Sequence, residues 1–128
     1  MVNTNLKIVF GGAGFNNFSR FSTPEKVEEV LKVLETESVQ VIDTAQAYGT
    51  SEELLGQTNA ASRFIVDTKY PGGLVPGKST EEIVIAAGEE SLKKLKTDCV
   101  SRHLRVRAWQ PIATLDVTYF ERQNTCYC

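Results

Sequence analysis

Apolar residues arrive along this chain in short bursts, and the spacing between bursts changes with them. Residues 6–10 (Leu-Lys-Ile-Val-Phe), 39–42 (Val-Gln-Val-Ile) and 63–68 (Arg-Phe-Ile-Val-Asp-Thr) are compact runs rich in β-branched and aromatic side chains, the mark of strands. The 39–42 run lacks polar alternation apart from Gln40, which suits a parallel strand covered on both faces. After Ser22-Thr23-Pro24-Glu25 the period becomes helical: Val27, Val30, Leu31 and Leu34 recur every three or four residues as one buried stripe. Ser22 or Thr23 serves as the cap, Pro24 suits the first turn, and Glu25 sits at the positive end of the helix. Glu28 and Lys32, one turn apart, are expected to pair. A short helix at 51–56 begins on Ser51 and stops on Gly56. A third begins at Ser79-Thr80-Glu81-Glu82 and carries Ile83, Ala86, Ala87, Glu90, Leu92 and Leu95 along it. Gly88 weakens that helix by about 1 kcal/mol relative to alanine.

Strand and helix therefore alternate three times, which predicts an α/β fold: a parallel sheet with right-handed crossovers. Doubly wound sheets and (β/α)8 barrels both begin this way, and the pattern alone does not choose between them. The regularity stops near Val100. A fourth buried strand is due there, but residues 101–107 read Ser-Arg-His-Leu-Arg-Val-Arg. Arginine at every second or third place is too costly to desolvate between two layers, which leaves an edge strand with one polar face, or disorder. Residues 112–120 are apolar enough for a further short strand, and 123–128 read as a frayed end.

Charge marks the same boundary. All eight lysines lie at or before Lys96, whereas four of the six arginines lie in the last 28 residues. Residues 1–100 carry 10 basic and 14 acidic groups, and residues 101–128 carry four and two. The chain is thus read as two parts, 1–100 and an arginine-rich tail of different origin at 101–128.

Composition narrows the class. A chain of 128 residues, 41% hydrophobic, suffices for one modest domain with a core. A net charge of −2 gives no attraction for nucleic acid. No apolar run approaches the length of a membrane span, and the N-terminus lacks the features of a signal peptide. Three cysteines cannot all pair within one chain, so no disulfide framework is expected and a reducing cytoplasm is the default.

The chemistry gathers around Asp43-Thr44-Ala45-Gln46-Ala47-Tyr48-Gly49. Asp43 ends the second apolar run, Tyr48 follows five residues later in a turn closed by Gly49, and Lys69 ends the third run. Each alone has an ordinary explanation: a turn-capping aspartate, a rim aromatic, a surface cation. Together they follow strands at the one end of a parallel sheet where ligands bind. Reducing a carbonyl requires hydride on carbon and a proton on oxygen. Tyrosine, with an ordinary pKa of about 10, is a reluctant donor at neutral pH. A neighbouring lysine stabilises the tyrosinate and eases the transfer, and an aspartate beside that lysine holds it in place and charged. Gly11-Gly12-Ala13-Gly14 lets backbone approach a ligand closely. It does not have the G-x-G-x-x-G spacing of a dinucleotide-binding turn.

These passages resemble the N-terminal part of the aldo-keto reductase family. The resemblance rests on Lys7-Ile8-Val9-Phe10-Gly11-Gly12, on Val41-Ile42-Asp43-Thr44-Ala45 with Tyr48-Gly49, on Ser51-Glu52 through Leu55-Gly56, and on Asp67-Thr68-Lys69. Ser91-Leu92-Lys93-Lys94-Leu95 with Thr97-Asp98-Cys99-Val100 also fits the family's third helix and the approach to its fourth strand. The loop after Lys69 is most similar to the aflatoxin-aldehyde-reductase-like branch. The resemblance implies a (β/α)8 TIM barrel, NADPH as hydride donor, and small-molecule aldehydes or ketones as substrates. By position it makes Tyr48 the general acid, Lys69 its partner and Asp43 the partner of the lysine. It places Gly12, Ala13 and Asp43 near the nicotinamide end of the cofactor and gives Glu52 a structural role.

The same resemblance defines what departs from it. The family's fourth strand ends in a histidine, but counting along the pattern reaches Val106. His103 comes three residues early among arginines, and the role is not transferred to it. A whole barrel takes about 250 residues, so an incomplete barrel is expected: about three βα units plus an irregular tail. A frameshift, an alternative splice or a misjoined gene model would produce such a pattern. An open sheet edge then favours self-association, and little turnover is expected of this chain alone. The rival reading is a non-catalytic product that is degraded or associates with a full-length paralogue. A metal module built from His103, Cys126 and Cys128 has weak spacing for zinc, and no metal is expected.

Overall fold

The computed structural model describes residues 7–70, 80–100 and 102–105, with Glu81 and the last four described by backbone alone. Four parallel strands form one sheet: β1 (Val9–Gly11), β2 (Val41–Asp43), β3 (Ile65–Tyr70) and β4 (Arg102–Arg105), in the order β1-β2-β3-β4. Three helices connect and flank them: α1 (Pro24–Thr36), α2 (Ser51–Gln57) and α3 (Glu81–Leu95). The arginine-bearing segment takes the edge-strand alternative, adding β4 beside β3. Of the loop expected after Lys69, only Tyr70 is described, and it ends β3. The strand expected at 112–120, the end at 123–128, Cys126 and Cys128 lie outside the described residues.

Register sorts the side chains. Phe10, Ile42 and Val66 stand in one row across β1, β2 and β3. This row faces the helices: Ile42 and Val66 are buried, and Phe10 packs against the same core. Successive residues of a strand alternate between faces, so the neighbouring row, Val9, Val41 and Ile65, falls on the opposite face. That face is open: Val9 is 52% and Ile65 47% exposed. The core therefore sits on one side of the sheet only. It is built from Val27, Leu31 and Leu34 of α1, Leu54 and Leu55 of α2, and Leu95 of α3. Each such aliphatic side chain contributes about 1.5–3 kcal/mol when fully buried.

α1 follows its predicted stripe, with Val30 partly buried beside it. Thr23 is its N-cap residue, although its side chain makes no capping bond to the backbone. Glu28 pairs with Arg63 at 2.6 Å, not with Lys32 as its spacing suggested. Arg63 precedes β3, and its planar fork engages both Glu28 oxygens.

α2 departs from its expected boundaries. Thr50, not Ser51, occupies the N-cap position, and Gly56 lies inside the helix. Gly56 is needed for packing: a Cβ built there would lie 1.9 Å from the Lys94 carbonyl oxygen of α3. Asn59, with positive φ, then turns the chain through a 3-10 turn, Ala60–Ser62, into β3.

α3 begins within the expected segment and is capped by Thr80, whose hydroxyl accepts from the Ile83 N–H. Its fully buried positions are Ser91 and Leu95, whereas Ile83 and Ala86 are exposed. Lys94 pairs with Glu90 at 2.9 Å on the same helix and approaches Glu53 of α2. Those acids hold its ammonium above the ordinary lysine pKa, the hydrogen bond it donates to Glu90 most of all. Cys99 is disulfide-bonded. No helix among the described residues is long and apolar enough to cross a membrane.

Candidate active site

Asp43 is the last residue of β2, and its register partner on β3 is Asp67. Lys69 lies two residues further along β3, so it shares a face with Asp43. Its side chain reaches back diagonally: Lys69 Nζ donates to Asp43 Oδ2 at 2.5 Å. The ion pair is partly sheltered, with 15% of the lysine and 32% of the aspartate side chain exposed.

Tyr48 is delivered by the turn that follows β2. The Tyr48 N–H donates to the Ala45 carbonyl at 3.0 Å and closes the turn. Gly49 leaves it with φ of +62°, a conformation that glycine adopts without a steric penalty. Lys69 Nζ lies 5.1 Å from the centre of the Tyr48 ring, within range of a cation–π attraction. The three side chains predicted to act together are thus brought together, with the lysine in the middle.

Backbone bonds lock the two strand ends. The Thr44 N–H donates to the Asp67 carbonyl at 2.7 Å, and the Gln46 N–H to the Lys69 carbonyl at 3.1 Å. The chain after β2 therefore stays fastened to β3 through both residues flanking Thr68.

Gly12 and Ala13 part company. They open a 3-10 turn, Gly12–Gly14, in which Gly12 is buried and Ala13 exposed. A Cβ on Gly12 would meet the Asp43 carbonyl oxygen at 3.1 Å, so this glycine lets β1 close against β2. Ala13 remains accessible at the rim.

Pattern reasoning missed a polar layer beneath the site, on the helix face of the sheet. Ser51 Oγ donates to the Gly12 carbonyl at 2.9 Å and lies 2.8 Å from Thr44 Oγ1. Thr68 Oγ1 donates to Glu52 Oε1 at 2.6 Å, with both residues buried. The Gln46 side-chain amide donates to the Ala87 carbonyl at 2.6 Å and to Ser91 Oγ at 2.8 Å. Such buried polar groups are stable only when hydrogen-bonded, and these are. The signal was available in part: Thr44, Ser51 and Thr68 interrupt otherwise apolar surroundings. Among the described residues, no group of three or more histidine, cysteine and acidic side chains is placed to hold a metal. The side chain of His103, in β4, lies outside the description.

The profile of the Aldo/keto reductase family matches residues 7–117. The chain belongs to that family. The oxidoreductase sirO of Leptosphaeria maculans is 37% identical over 97 residues, which cover 69% of this chain and 29% of that protein. A crystal structure of an aldo-keto reductase from Pseudomonas aeruginosa superposes with a TM-score of 0.64 at 26% identity, covering 80% of this chain and 44% of that one. A thermostable aldo-keto reductase, solved with the inhibitor epalrestat, gives 0.60 at 27% identity, covering 80% and 40%. One from Brucella melitensis gives 0.56 at 28%, covering 77% and 36%. This aldo/keto reductase chain thus spans less than half the length of each relative. The fold is that of a partial TIM barrel, and the four strands and three helices among the described residues supply the first part of the barrel wall.

Proposed function

We propose that this chain carries the proton-donating corner of an NADPH-dependent reductase acting on aldehydes and ketones. The observation that carries the reading is the placement of Lys69, 2.5 Å from Asp43 Oδ2 and 5.1 Å from the Tyr48 ring centre. Tyr48 gives its phenolic proton to the carbonyl oxygen as that oxygen gains negative charge. The ammonium of Lys69 favours the negative charge left on the phenol. Asp43 holds that ammonium in place through a charge-assisted hydrogen bond.

Space for the cofactor supports the same reading. A Cβ on Gly11 would meet nothing within 4 Å, so the end of β1 on the Asp43 face leaves room for a flat ring. Ala13 and Asp43, with exposed Gly11 in place of the buried Gly12, are the residues that would border a nicotinamide there. The cofactor supplies hydride when bound, and this chain supplies the proton.

The test is oxidation of NADPH by the purified chain with a test aldehyde, followed by absorbance. Whatever aldehyde-dependent oxidation the chain shows, however slow, is expected to vanish in Tyr48→Phe while the fold persists. Aldehyde-dependent turnover that Tyr48→Phe leaves unchanged would overturn the assignment of Tyr48. No turnover, with no rise in melting midpoint on adding NADPH, would overturn the reading for this chain and favour a non-catalytic product.

A further inference from the structure

Gln46 occupies an unusual junction. It sits three residues after Asp43 and two before Tyr48, inside the turn that presents the tyrosine. Its backbone N–H donates to the carbonyl of Lys69 itself. Its side chain leaves the turn and reaches α3, donating one bond to the Ala87 carbonyl and one to Ser91 Oγ. Ser91 is fully buried, so its hydroxyl is not a solvated group that happens to lie near.

Two facts make this more than general packing. The segment after β2 is tied to β3 through the backbone N–H groups of Thr44 and Gln46, and to α3 through the Gln46 side chain. Moreover, α3 offers a buried serine where its face would otherwise be apolar. A hydroxyl there must find a partner or carry a desolvation cost, and Gln46 supplies that partner. Fixing one side chain from both ends removes the freedom that would let the turn drift from β3.

We propose that Gln46, held by Ser91 and the Ala87 carbonyl, is the positioning residue that sets Tyr48 against Lys69. The inference rests on the reading of Tyr48 and Lys69 as the proton-donating pair, but its geometric part is measured without turnover. Lys69 stands over an aromatic ring, so the ring current displaces its ε-methylene proton resonances upfield. In protein labelled with ¹³C-lysine, Tyr48→Leu identifies the Lys69 signal by abolishing that displacement.

Gln46→Met keeps the length of the side chain and removes both donors, and Ser91→Ala removes one acceptor. Both are expected to reduce the displacement by more than half while circular dichroism shows the helices intact. Ser91→Thr, which restores the hydroxyl, is expected to keep it. In chain that turns over, Gln46→Met is expected to lower kcat by about tenfold to a hundredfold with little change in KM, as misplacement of a reacting group does. An undisplaced Lys69 signal in the wild type, or an unchanged displacement in folded Gln46→Met and Ser91→Ala, would overturn the proposal. Loss of fold in both variants would also overturn it, assigning the pair a purely structural role. A displaced signal that collapses as expected in a chain without turnover would uphold the positioning role and refute only the reductase reading.

Discussion

Lys69 Nζ reaches Asp43 Oδ2 at 2.5 Å from two residues beyond the register partner of that aspartate. The bond thus runs diagonally between neighbouring strands and ties the end of β2 to β3 by side chains as well as backbone. Removing either partner leaves a sheltered charge unanswered. Asp43→Ala and Lys69→Met are each expected to cost roughly 1–3 kcal/mol. The double variant should cost less than the two together, because the second removal strands nothing. Urea unfolding of the four proteins measures this, and additive losses would contradict a direct pair.

Thr68 and Glu52 present the same question below the sheet, without solvent. Thr68→Val keeps the shape of the side chain but deprives the buried Glu52 carboxyl of its 2.6 Å donor. The expected cost is about 1–3 kcal/mol. Glu52→Gln, which still offers an oxygen to the threonine hydroxyl, should cost less. The comparison is read from denaturant midpoints, and equal losses would show that the hydroxyl contributes nothing specific.

Gly56 lies where α2 and α3 cross most closely. Alanine would gain up to about 1 kcal/mol in helix propensity, but its Cβ meets the Lys94 carbonyl at 1.9 Å. Backbone must move to relieve that contact, so Gly56→Ala is expected to destabilise by roughly 1–3 kcal/mol. Gly11→Ala, with nothing within 4 Å, is the matched variant without a clash. A neutral Gly56→Ala in thermal melts would mean that the helices do not approach as described.

Arg63 and Glu28 give a pH dependence. Hydrogen bonding to Arg63 holds the Glu28 carboxyl below its ordinary value of 4.5. The unfolded chain then binds the proton more tightly than the folded one. The stabilisation is therefore present above about pH 4.5 and is lost as pH falls through the lower folded-state value. The pair is partly exposed, so its contribution is roughly 1 kcal/mol or less. Glu28→Gln should lower stability at pH 7 and flatten its decline as pH falls below about 4.5. Parallel declines for the two proteins would exclude Glu28 as a source of the slope.

The pattern of residues was most legible where one helix face and one strand end sufficed. Val27, Leu31 and Leu34 are buried as their spacing requires. Asp43, Tyr48 and Lys69 meet because a parallel sheet delivers all its strand ends to one side. What stayed hidden depends on partners far apart in the chain. Arg63 takes Glu28 from Lys32 across 35 residues, and Gln46 finds Ser91 across 45. No local period reports such meetings. Ser91 is likewise buried on α3 although its local pattern does not mark it, whereas Ile83 and Ala86 are exposed. Gly56 was read as a helix stop because glycine usually ends helices, whereas here it answers to a neighbouring backbone.

β3 carries two kinds of work in alternate residues. Val66 and Thr68 serve the helix side, and Asp67 and Lys69 serve the other. Inserting or deleting a single residue within β3 would exchange those duties at every later position. Lys69 would be driven between sheet and helices, and Thr68 would be turned away from Glu52. Among natural or engineered length variants of this chain, changes in connecting loops other than the Tyr48 turn should therefore survive, while a one-residue change inside β3 should remove fold and site at a single stroke.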